Sequence, residues 1–91
     1  MELYTFIMEY IGGTYIHQVE AIDYEQARSL WIRNLEIKEI KHFSIHDKRN
    51  IIKENFSDED IILVKGMKNV WFFLIRTKRG LGYINIIKTK R

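Results

Sequence analysis

At 91 residues the chain has room for one domain, and its 46% apolar and 13% aromatic content sets it apart from disordered sequences. The absence of Cys excludes a disulfide scaffold, a Cys-type zinc site and thiol catalysis, and no run approaches the roughly 20 apolar residues of a membrane span. The net charge of +3 conceals a sharp asymmetry: all 12 acids fall in residues 1–60, whereas residues 61–91 carry Lys and Arg only.

Such polarity predicts surfaces of opposite sign, which steer partners more than they shape a fold. The opening Met1-Glu2-Leu3-Tyr4 has no basic leader, and Glu9 interrupts the apolar stretch behind it. A cytoplasmic single domain spanning 1–91 is therefore expected.

In chain order, Glu2–Tyr10 and Thr14–Ala21 are rich in β-branched and aromatic residues and flank Ile11-Gly12-Gly13, the signature of a hairpin. Tyr4, Phe6, Met8 and Tyr10 share one face of the first strand. The second strand is half polar, which places it near an edge. Asp23 followed by Gln26 starts a helix over Tyr24–Leu35, with Ala27, Leu30, Trp31 and Leu35 in one apolar stripe. Asn34 falls inside that stripe and reads as a buried amide bonded to backbone. Ser44 to Asp47 repeats a capping pattern ahead of a short helix from about His46 to Asn55, and Ser57–Asp60 follows as a charged loop.

Ile61–Lys65, Val70–Thr77 and Tyr83–Thr89 complete a three-stranded meander. A second turn centred near Gly80 would pair Arg76 with Ile84, Leu74 with Ile86 and Phe72 with Lys88. One face then holds Phe72, Leu74, Ile84 and Ile86, and the other holds Trp71, Phe73, Ile75, Tyr83, Asn85 and Ile87. The run Val70–Ile75 is apolar on both sides, as in a strand covered twice or one whose second face awaits a partner. The expected class is α+β: a mainly antiparallel five-stranded sheet, ββααβββ, with one main helix on a face. Its expected core is Phe6, Met8, Val19, Ala27, Leu30, Trp31, Leu35, Phe72, Leu74, Ile84 and Ile86.

The residues offer little chemistry. His42-x-x-x-His46-Asp47 has helical ligand spacing, but a helix start at Ser44 splits the pair, so no metal and no cofactor are expected. His17 or His46 with a lysine would suffice for metal-independent RNA cleavage, although no nucleophile stands at a telling distance. A nucleic-acid-binding module has more to recommend it. Trp71, Phe73 and Tyr83 on one sheet face would stack bases while Lys78, Arg79 and Lys88 hold phosphates.

The segment Tyr4-Thr5-Phe6-Ile7-Met8-Glu9-Tyr10-Ile11-Gly12-Gly13-Thr14-Tyr15-Ile16, the following Ala27-x-x-Leu30-Trp31, Asn69-Val70-Trp71-Phe72 and Ile84-Asn85-Ile86-Ile87-Lys88-Thr89 together resemble a group of small bacterial proteins, mostly of unknown function. Some of that group are similar to immunity proteins of toxin systems, including contact-dependent growth inhibition. The resemblance covers both ends of the chain but not residues 36–62, and it brings no catalytic motif. It implies a non-enzymatic domain that occludes a cognate protein toxin. A nuclease toxin with a basic groove would meet acids outside the meander: Glu20, Glu25, Glu36, Glu39, Glu54, Asp58, Glu59 and Asp60. Protein binding of this kind is the expected function, with nucleic-acid binding the alternative. A homodimer through an exposed Trp71–Phe73 face is a further partner the pattern admits.

Overall fold

The alternation of residues 2–21 folds them into a hairpin, β1 (Glu2–Tyr10) and β2 (Gly13–Ala21), in register from Glu2–Ala21 to Tyr10–Gly13. Ile11 and Gly12 alone make the turn, both at positive φ (42° and 78°), the backbone of a tight hairpin whose twist matches its strands. The computed structural model describes residues 1–56 and 60–90 of the chain. The remaining elements are α1 (Tyr24–Asn34), a 3-10 turn over Ile37–Glu39, α2 (Ile45–Lys53), β3 (Ile62–Leu63), β4 (Val70–Arg76) and β5 (Leu81–Thr89). The five strands form one antiparallel sheet in the order β2-β1-β5-β4-β3, so the architecture is α+β with β2 at an edge as its polarity implied.

Each helix start is built from local polar chemistry. The Asp23 side chain accepts from the Gln26 backbone amide at 2.8 Å, and the Gln26 side-chain oxygen accepts from the Ile22 amide at 2.9 Å. Ser44 and Asp47 form a reciprocal capping box at the start of α2. The Lys48 ammonium then donates to the Leu35 carbonyl just past the end of α1, at 2.9 Å, tying one helix to the other.

Both helices lie on the sheet face that carries Tyr4, Phe6, Met8 and Tyr10. Trp31 stacks on Phe6 with ring centroids 5.4 Å apart and meets Phe73 edge-on at 5.6 Å. Phe56, just beyond α2, also meets Phe73 edge-on, at 5.7 Å. The Arg28 guanidinium lies 4.1 Å from the Phe56 ring centroid, closing the aromatic layer with a cation.

Of the expected core, Phe6, Met8, Val19, Ala27, Trp31, Leu35, Ile84 and Ile86 are buried, and Leu30 is half-buried. The pairing of β4 with β5 differs from expectation. Arg76 pairs with Leu81 and Phe73 with Ile84, three residues away from the expected alignment, and an odd shift exchanges the faces. Phe73 (1% exposed) and Ile75 therefore join the core with Trp71 against its margin, while Phe72 and Leu74 sit half-buried on the opposite face.

The cause is the turn. The Thr77 hydroxyl accepts from the Arg79 and Gly80 amides, and the Thr77 amide donates to the Gly80 carbonyl at 2.9 Å, so Thr77–Gly80 alone reverses the chain. Asn34 is another correction: it is the last residue of α1 and is exposed, and the buried positions of the helix are Ala27, Trp31 and Ile32. α2 begins at Ile45 and ends at Lys53, and β3 holds only two residues. Most of the loop read as Ser57–Asp60 lies outside the described residues.

Candidate functional site

The sheet's second face carries no helix, and its composition follows from the register. Across the middle of the sheet the pairings Ile7–Ile16, Ile7–Asn85, Phe72–Asn85 and Ile62–Phe72 align Ile16, Ile7, Asn85, Phe72 and Ile62 in one row spanning all five strands. Val70 and Ile87 pair beside that row on one side, and Leu74 and Tyr83 on the other. Ile16 is 61% exposed, Ile62 60% and Tyr83 48%. Ile7, Phe72, Leu74 and Ile87 remain half open to solvent. Phe72 and Tyr83 stack with centroids 6.5 Å apart, a flat aromatic surface at the solvent boundary.

Charge on this face is confined to its margin: Glu9 and Glu20 on the β1–β2 side and Arg76 at the end of β4. Thr14 donates to the Glu9 carboxylate at 2.8 Å, holding that rim charge in place. Asn85 is the polar group in the middle row, and its amide donates to the Trp71 carbonyl at 3.4 Å, a long bond; in the next row the Gln18 amide donates to the Thr5 hydroxyl at 3.0 Å, which makes the β1–β2 side polar. An apolar centre with a polar, charged rim is the anatomy of a protein interface.

A second feature lies where α2 approaches the end of β4. Ser44, His46, Asp47, Asn50, Glu54, Arg76, Thr77 and Lys78 line an open cleft of about 590 Å³. Asp47 is buried there and already engaged: it accepts from the Ser44 amide at 3.1 Å, the Ser44 hydroxyl at 3.0 Å and the Lys78 amide at 3.0 Å. Burial would push its carboxyl up, but these three bonds and the nearby His46 outweigh that and hold it below the ordinary carboxylate value. Asp47 thus fastens the β4–β5 turn to the helix. Beside it the Tyr10 hydroxyl donates to the His42 carbonyl at 2.5 Å and contacts the Thr77 hydroxyl at 2.6 Å, and Arg79 Nη1 lies 3.4 Å from His42 Nδ1.

The acids expected to meet a toxin do not form one strip. Glu25 and Asp60 flank Arg28 in a second hollow with Tyr24, Ile61 and Ile62. Glu36 and Glu39 sit at the 3-10 turn, Glu54 in the α2 cleft and Glu20 on the open sheet face. Asp58 and Glu59 lie outside the described residues.

The aromatic half of the expected nucleic-acid surface is lost. Phe73 is buried, and Trp71 stacks on Tyr24 at 4.8 Å on the helix side, so neither is presented with Tyr83. The same geometry removes the Trp71–Phe73 face as a dimer surface. Lys78 and Arg79 border the turn at one end of the sheet, whereas Lys88 is at the other, 3.9 Å from Glu2. His42 and His46 are exposed, and no group of three or more His, Asp or Glu among the described residues is arranged to hold a metal ion. His17 is on the helix side of β2 with its Nδ1 buried and unpartnered, and it does not line the α2 cleft.

What reading the sequence missed is which residues line the open face: Phe72 and Leu74, not Trp71 and Phe73. The signal of such a face was present in the two-sided apolarity of Val70–Ile75, but the register that assigns each side depends on Thr77. Comparison with family models, with curated proteins and with solved structures returns no match for this chain.

Proposed function

We propose that this chain is a non-enzymatic protein-binding domain. The observation that carries the reading is the uncovered sheet face, with Ile7, Ile16, Phe72 and Ile62 aligned around Asn85 and the charges set at the rim. Leaving large apolar side chains in water forfeits the burial that folding otherwise captures, about 25 cal/mol per Å², and a protein partner recovers it. Neutralisation of a bacterial toxin is the particular form that the sequence resemblance favours. The acids carried by the helical layer (Glu25, Glu36, Glu39 and Glu54) are all exposed and available to a basic partner.

Nucleic-acid binding stays as the second reading because one observation favours it: the fold brings Arg76, Lys78 and His46 to a single cleft, with Arg79 on the same turn. The two readings separate in one affinity purification from native lysate at low salt, using a tagged chain and its Phe72→Glu variant. The expected result is stoichiometric recovery of a protein, either an untagged copy or a different polypeptide, lost in the variant. Recovery of RNA alone, weakened by Lys78→Ala with Arg79→Ala and by rising salt, would overturn the proposal.

A further inference from the structure

We infer that the occupant of the open sheet face is a second copy of this chain, stacked face to face about a two-fold axis that passes over Asn85. The inference rests on the reading of that face as a protein interface, and it names the partner.

Size is the first support. Five strands about 4.8 Å apart, most of them seven to nine residues long, present about 600 Å² of flat area. Two such faces together reach the lower end of stable interfaces, about 1,200 Å² in all. Sheets that pack in this way keep their strands within about 30° of each other, so the faces overlap along their length.

Self-complementarity is the second support. β5 is the middle strand, and Asn85 is the middle of the row that crosses all five strands. Any two-fold in the plane of the interface over that point sets Asn85 against the partner's Asn85. A carboxamide carries donors and an acceptor, so it pairs with its own copy, and a polar pair on the axis fixes register, while Thr5 and Gln18 already satisfy each other within the chain. The axis along β5 also lays Ile7 over the partner's Phe72 and Ile16 over the partner's Ile62, and it brings Glu9 to the end that holds the partner's Arg76.

The chemistry of the face also favours a copy over a strongly charged partner. Its centre holds no charge, and its rim carries both signs rather than the single sign that a basic or acidic surface would select. Stacking leaves both helical layers outermost, with Glu25, Glu36, Glu39 and Glu54 still exposed for a separate protein.

The test is sedimentation equilibrium of the full chain at micromolar concentration, with Asn85→Asp and Asn85→Lys. The wild type is expected to be a dimer. Either variant alone should weaken it by at least about a hundredfold, since like charges would face each other in an apolar seam. An equimolar mixture of the two variants should restore the dimer, a result that also shows both still fold. A wild-type monomer overturns the inference. If that monomer takes up a different protein on the same face, the protein-binding reading survives without the dimer; if no protein binds, both fail. A dimer untouched by the two variants would place the contact elsewhere, for example at the β2 edge, and would also overturn it.

Discussion

Asp47 shows how a carboxylate that resembles a catalytic group is spent on structure. It sits among His46, Arg76 and Lys78, yet its oxygens accept from two backbone amides and a hydroxyl. Those bonds hold its folded pKa below the unfolded value of about 3.9, so the folded state favours the ionised form. The linkage has a definite sign: the stabilisation is complete above the unfolded pKa and disappears as pH falls through the folded one. Urea titrations between pH 6 and pH 3 should therefore show the wild type losing stability on acidification more steeply than Asp47→Asn. At pH 7, Asp47→Ala should cost about 1–3 kcal/mol, because the Lys78 and Ser44 amides lose their acceptor. An unchanged urea midpoint would mean that water serves these amides equally well.

At the scale of elements, adjacent residues of β4 have opposite fates. Phe73 meets Phe6, Trp31 and Phe56, whereas Phe72 faces outward and stacks only on Tyr83 among the aromatic rings. Phe73→Ala should cost about 3–5 kcal/mol in denaturant unfolding. Phe72→Ala should cost about 1 kcal/mol in a chain dilute enough to be monomeric, and more at concentrations where the face is covered. Equal losses at both positions in the monomer would refute the assignment of faces.

Gly82 records the same polarity. A Cβ added there would come within 2.7 Å of Ile75 Cγ1, so its position on the helix side accepts no larger residue without displacement. The hairpin, α1 and the order of elements were legible in the sequence because alternation and caps act over a few residues. The face assignment of β4 was not. It depends on a four-residue turn organised by the Thr77 hydroxyl, and moving the pairing by an odd number of residues turns Trp71 and Phe73 inward and Phe72 and Leu74 outward. The open face is lost with that register, since Phe72, Tyr83 and Asn85 gather only when the pairing is correct. The α2 cleft was hidden for another reason: it joins His46 to Lys78 across the fold, and no local pattern encodes such a contact.

At the scale of the whole molecule, the sheet divides the chain into a packed side and an unfinished one. The helices, the aromatic stack and the buried strand positions lie together on one side. The other side spends its apolar residues on a surface. β2 also leaves a nine-residue edge with neither Pro nor Lys, which makes strand addition the natural competitor to face stacking. Isotope-filtered NMR distinguishes them most directly, in a sample mixing labelled and unlabelled chains, by reading contacts that cross between molecules. Stacked faces predict intermolecular contacts from Ile7, Phe72 and Tyr83, with Asn85 meeting its own counterpart. Contacts confined to the backbone of Gly13–Ala21, or arising from the helices, would contradict it.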